Sequence, residues 1–225
     1  KYECHVVTLP GFAGVAPIDT PILKTVKNSL VQYIHEKQLK KPILIGHSLG
    51  AMMSLWIGSE MPGDISAIIC VDGVPAIAAM TNPAINYDSL KKSPVYDAAT
   101  VATNFVNLPV EGYEKNMTMA MLAQVNDTAR AKQIAHWSAM SDRKTLGYTI
   151  VEISLTDLRP ALKNIKCPVL VMASIYGDKE TSLRVMNEQY ANVANKKILV
   201  ADAKHFIMYD QPQWMYAAID QFLKK

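Results

Sequence analysis

Two kinds of apolar run alternate along the chain. Short stretches with little polar interruption occupy residues 2–9, 43–45, 65–71, 168–173 and 197–201, and each reads as a strand. Strands that lack polar alternation are covered on both faces, as in a parallel sheet with helices on each side. Between them lie helical patterns. Ile22, Val26, Leu30 and Ile34 recur every fourth residue behind Thr20-Pro21, which predicts an amphipathic helix with Thr20 as cap and Pro21 at its first position. The run from Ala51 to Ile57 is apolar on nearly every side, so its helix is expected to be buried. A last helix over 213–223 carries Trp214, Ala218 and Phe222 on one stripe. Strand and helix alternate, so the fold class is α/β, a mostly parallel sheet with helices on both faces.

The alternation breaks between residues 74 and 157, where no convincing buried strand occurs and Ala, Met, Asn and Thr are frequent. This stretch is expected to be a helical cap insertion, with residues 1–73 and 158–225 forming the core. Its methionines, Met80, Met117, Met119, Met121 and Met140, suit packing between cap and core, with one or two expected to touch substrate.

Composition narrows the class. Half of the 225 residues are hydrophobic and 19% are charged, enough apolar material for a sizeable core and too much for a disordered chain. The net charge of +3 is spread over isolated lysine doublets, so no nucleic-acid partner is expected. Asp72, Gly73 and Pro75 interrupt the apolar stretch around residues 65–80, so no membrane span is expected. The chain opens on Lys1, and no charged segment followed by an apolar stretch and a cleavage site occurs, which leaves the compartment unassigned. Cys4, Cys70 and Cys167 have no metal-like spacing and read as buried or half-buried free thiols.

The chemistry centres on Gly46-His47-Ser48-Leu49-Gly50, a G-x-S-x-G pattern set between a predicted strand and a predicted helix. A sharp strand-to-helix turn holds a serine oxygen exposed above a sheet, and its glycines stand where side chains would collide. The helix that follows points its amides and partial positive charge at the same place, so the Leu49 backbone amide is a candidate oxyanion donor. A serine hydroxyl needs a base. Of five histidines, His205 follows the last predicted strand by a few residues, at the edge where strand ends and sites meet in open α/β sheets. The histidine in turn needs a carboxylate. Asp178, after the fourth predicted strand, completes the chain order Ser48, Asp178, His205; Asp72, at the end of the third, is the alternative acid. Asp157 more simply pairs with Arg159 or caps a helix.

Residues 9–14 (LPGFAG), 46–51 (GHSLGA), 157–162 (DLRPAL) with 167–171 (CPVLV), and 205–212 (HFIMYDQP) together resemble the α/β-hydrolase superfamily in its capped, esterase-like branch. The resemblance runs in order across almost the whole chain and is weakest in the insertion. It implies a serine hydrolase with Ser48 as nucleophile, His205 as base, a strand-end acid and an acyl-enzyme resolved by water, with no metal or cofactor. It also strengthens Asp72, since some members take their acid from that strand end, while the loop before Asp178 is about one residue longer than the family spacing.

The resemblance further implies a strand between the first two predicted here, and an oxyanion loop beside it, both from earlier sequence. A sheet without a central strand leaves amides and carbonyls unpaired at about 1–3 kcal/mol each, so about forty to sixty residues are expected to be missing, supplied in cis or by another chain. The expected activity is cleavage of a small or medium carboxylic ester, the small-molecule partner. The alternatives are a ligand-binding receptor on the same fold with slow or no turnover, and a related hydrolase acting on a lactone, thioester or carbon–carbon bond.

Overall fold

A computed structural model describes residues 2–224. Four strands, β1 (Ile43–His47), β2 (Ala67–Val71), β3 (Val169–Ala173) and β4 (Lys196–Val200), lie side by side in that order, all parallel. Each coincides with one of the predicted runs to within two residues. Because all four run the same way, their C-terminal ends share one edge of the sheet.

Helices fill the crossovers. Helix α1 (Ile22–Glu36) precedes β1, and α2 (Leu49–Glu60) joins β1 to β2. The β2–β3 connection holds α3 (Tyr87–Lys91), α4 (Ala98–Val106), α5 (Tyr113–Leu122), α6 (Thr128–Met140) and α7 (Arg143–Leu155), with short 3-10 turns and no strand. Helix α8 (Lys179–Gln189) leads to β4, and α9 (Ile207–Asp210) and α10 (Pro212–Leu223) close the chain. No helix among the described residues is long and apolar enough to cross a membrane.

The pleat explains the absence of polar alternation. Ile68 and Cys70 of β2 pack into a core with α2 and α8, while Ile69 and Val71 pack on the other face with Met215 and Ala218 of α10. All five residues of β2 and of β3 are buried. At about 25 cal/mol per Å² of apolar surface, this double coverage is the main source of the sheet's stability.

Three expectations are corrected. Residues 2–9 form no strand: residues 2–8 are exposed, Val6 by 94%, and Leu9 alone packs inward, against the cluster around Ile22 and Met53. Among the described residues the sheet has four strands, and this segment is not one of them; β1 is at its edge, where Ile45 is 56% exposed. Thr20 does not cap α1. The helix begins at Ile22, and its first amides are taken by a carboxylate from the insertion: Ile22 N–H donates to Glu152 Oε1 at 2.8 Å and Leu23 N–H to Oε2 at 2.7 Å. Cys4 is exposed rather than covered, because the segment that carries it does not enter the sheet.

Candidate active site

Four consecutive strand ends supply the polar residues of the site. Ser48 follows β1, Asp72 follows β2, Ser174 follows β3, and His205 lies five residues past β4.

Ser48 sits at φ 52°, ψ −115°, a left-handed conformation that L-residues seldom adopt. Its own amide donates to the Val71 carbonyl at 3.0 Å, so the turn is anchored to the neighbouring strand, and its carbonyl receives Ala51 N–H at 3.0 Å as α2 begins. The glycines around it follow from crowding. A Cβ at Gly46 would stand 2.0 Å from the carbonyl of Gly50, and one at Gly73 would stand 2.6 Å from the carbonyl oxygen of Ser48. Only glycine at these two places lets strand, turn and helix approach so closely. Leu49 then occupies the first position of α2, where amides have no intrahelical acceptor.

Asp72 also has a left-handed backbone, φ 43°. The turn is held from three sides: Asp72 N–H donates to the Met172 carbonyl at 2.7 Å, the Gly73 carbonyl accepts from the buried Tyr190 hydroxyl at 2.6 Å, and the Asp72 carboxylate is gripped by Ser174. Ser174 N–H donates to Oδ1 at 2.6 Å and its hydroxyl to Oδ2 at 2.9 Å. His205 reaches the same Oδ2 through Nδ1 at 2.7 Å. An ionised carboxylate only accepts, so Nδ1 carries the proton and Nε2 is left as the basic nitrogen. The pair is mostly shielded from solvent, with side-chain exposures of 12% for Asp72 and 28% for His205.

Asp178, the acid expected from chain order, does not meet His205. It is exposed, and its Oδ1 accepts the Thr181 amide at 2.7 Å as the N-cap of α8. That hydrogen bond holds its carboxyl below the usual carboxylate range. The local pattern carried the signal: an aspartate immediately ahead of a helical run is an N-cap signature. Asp157 makes the two-point contact with Arg159 that its spacing suggests, at 2.9 and 2.7 Å. Among the other histidines, His5 contacts the Tyr33 hydroxyl, His35 is exposed on α1, and His136 pairs with Glu114.

His47, another of the five histidines, also lies beside His205. Its ring lies 4.4 Å from that of His205, centroid to centroid, and 4.9 Å from Phe206. Its Nε2–H donates to the His205 carbonyl at 3.0 Å, since a carbonyl only accepts. Burial, followed by the neighbouring His205, pushes its pKa down to about 4, so it is neutral above that pH.

The insertion completes the surroundings. Lys204 Nζ donates to the Leu122 carbonyl, Phe206 N–H to the Gln124 carbonyl, and Asp210 accepts from both nitrogens of Asn126, which ties the His205 loop to the turn between α5 and α6. On the other side, the N-terminus of α7 holds the glycine turn after residue 9: Asp142 N–H donates to the Gly11 carbonyl at 2.8 Å, and Ala13 N–H to Ser141 Oγ. Of the insertion's methionines, Met119 and Met140 are largely exposed and Met80 packs against the core.

The chain is 26% identical to a pimeloyl-[acyl-carrier protein] methyl ester esterase of Wigglesworthia glossinidia brevipalpis, over the whole of this chain and 84% of that protein. A protein of the same name from Proteus mirabilis is 26% identical over 75% of this chain and 62% of its own length. Among solved structures, MenH from S. aureus superposes with a TM-score of 0.75 at 18% identity, covering 97% of this chain and 82% of the other. An esterase from Thermogutta terrifontis gives 0.72 at 16% identity, with coverages of 96% and 77%. These two share the fold. The alpha/beta hydrolase family profile matches residues 1–218, and with a parallel sheet, a serine turn between β1 and α2 and a helical insertion after β2, the chain belongs to the alpha/beta hydrolase family.

Proposed function

We propose that the protein is a serine hydrolase that cleaves a small or medium carboxylic ester through Ser48, His205 and Asp72. The observation that carries this reading is the 2.7 Å contact between His205 Nδ1 and Asp72 Oδ2, one strand away from a serine held in a strained turn at the head of a helix. The two relatives named for methyl ester cleavage support an ester as the bond attacked.

The roles follow from proton positions. His205 Nε2 takes the Ser48 hydroxyl proton as Oγ bonds to the ester carbonyl carbon, and the imidazolium so formed is stabilised by Asp72. Negative charge moves to the carbonyl oxygen, where the Leu49 amide and the positive end of α2 oppose it. The tetrahedral species collapses, the alcohol leaves with the proton from His205, and an acyl group remains on Ser48. Water, deprotonated by His205, then attacks the acyl carbon and releases the carboxylic acid and free serine. Residues 74–157 act as a cap over the strand ends, and their ties to the His205 loop support that reading.

Hydrolysis of a chromogenic short-chain ester tests this. Ser48→Ala is expected to remove turnover, and Asp72→Asn to lower kcat by about 10⁴, because the amide favours the wrong histidine tautomer. Asp178→Asn is expected to leave kcat within about twofold, since an amide oxygen still caps α8. Equal rates for Ser48→Ala and the unmodified protein overturn the enzyme reading. Loss of activity in Asp178→Asn with retention in Asp72→Asn overturns the choice of acid.

A further inference from the structure

We infer that Ser174 is a positioning residue, which fixes the plane of the Asp72 carboxylate and limits its pull on His205. The inference rests on the Ser48–His205–Asp72 reading and adds a fourth member from the strand end next to the acid.

The geometry has two parts. Ser174 N–H and Oγ–H contact different oxygens of Asp72, at 2.6 and 2.9 Å. A carboxylate held at one oxygen can still turn about its Cβ–Cγ bond; held at both, it cannot turn without losing a hydrogen bond. Such restraint counts here, because the acid orients His205 only while Oδ2 stays on the Nδ1–H axis. The second part is shared occupancy. The Ser174 hydroxyl and His205 Nδ1 donate to the same oxygen, Oδ2. A donor on a carboxylate oxygen withdraws charge from it, so the hydroxyl weakens the attraction between Asp72 and a protonated His205. Ser174 thus moderates the pull of Asp72 on His205 while keeping the pair aligned.

Few other charges face the pair. His47 lies against His205 and is neutral above about pH 4. Tyr190, buried beneath Gly73, stays neutral because burial raises its pKa well above the ordinary value. The ammonium of Lys204 is directed to the Leu122 carbonyl, and the Asp210 carboxylate is occupied by Asn126 and Lys204 N–H. None of these groups is the partner of the Ser174 hydroxyl, which donates to Asp72 Oδ2.

The test is steady-state hydrolysis of a chromogenic short-chain ester across pH by the full chain with Ser174→Ala, Ser174→Thr and Asp72→Asn. Alanine keeps the backbone N–H contact and removes only the hydroxyl. Expected for Ser174→Ala are a kcat lower by about tenfold, KM within about twofold, and an acid limb of kcat/KM moved up by about half a pH unit. Threonine, which keeps the hydroxyl, is expected to restore the limb. A merely structural role would lower activity without moving the limb. An unmoved acid limb in Ser174→Ala, with Asp72→Asn inactive, overturns the Ser174 role and leaves the triad standing. Full activity in Asp72→Asn overturns both.

Discussion

His47 and His205 lie ring to ring, yet the two imidazoles have opposite requirements. In the proposed reaction His205 gains and loses a proton in each cycle, whereas a second charge 4.4 Å away would oppose that gain. Burial resolves the conflict by keeping His47 neutral, and the neutral ring still donates Nε2–H to the His205 carbonyl. The same depression shapes stability against pH. The unfolded chain protonates His47 near the ordinary histidine value of 6.5 and the folded protein near 4. Between those values the unfolded state binds the extra proton, so stability rises with pH. The contribution is fully present above about 6.5 and is lost as pH falls toward 4, with a slope of at most about 1.4 kcal/mol per pH unit. His47→Gln is expected to flatten this dependence relative to the unmodified protein. Urea midpoints measured across the window check it, and equal slopes in both proteins would refute it.

Elements impose the next constraint, through which backbone groups find partners. The apolar run at Val6–Val7 has the composition of a strand, but composition supplies no neighbour, and the segment lies exposed along α1. Strand β1 was predicted from the same kind of run and does form, because β2 pairs with it in register from Ile43–Ala67 to His47–Val71. Its two sides differ. Ser48 N–H points to β2, so by alternation the amides of Gly46 and Leu44 do as well, and those of Ile45 and Ile43 point to the open edge. Hydrogen exchange followed residue by residue is expected to show slow exchange at Leu44 and Gly46 and fast exchange at Ile43 and Ile45. Slow exchange at all four would mean that another backbone covers this edge in solution.

On the scale of the whole molecule, the insertion joins two parts of the core that the chain separates. Glu152 on α7 caps α1, the start of α7 grips the turn at Gly11, and the α5–α6 turn grips the loop of His205. The N-terminal part of the core and the C-terminal loop are therefore both held by one helical layer. Glu152→Ala leaves the amides of Ile22 and Leu23 without acceptors and is expected to cost about 1–2 kcal/mol, with Glu152→Gln costing less because one oxygen remains. Thermal unfolding measures this. A melting temperature unchanged by Glu152→Ala would mean that water satisfies α1 equally well.

Much was determined by the sequence alone, where the cause was local. Four of the five predicted strands form where unbroken apolar runs place them, the serine turn follows from its glycines, and the helical character of residues 74–157 from the lack of any strand pattern. That Ser48 and His205 stand close to strand ends was legible whatever their neighbours are. Which aspartate meets His205 was not legible, because that depends on which strand ends lie side by side. Chain order favoured Asp178, but the sheet sets β2 between β1 and β3, so Asp72 emerges next to Ser48 while Asp178 turns away to start α8. Ser174, His47 and Glu152 were hidden for the same reason. Their partners lie 102, 158 and about 130 positions away along the chain, and only folding brings a donor and an acceptor at such separations within hydrogen-bond reach.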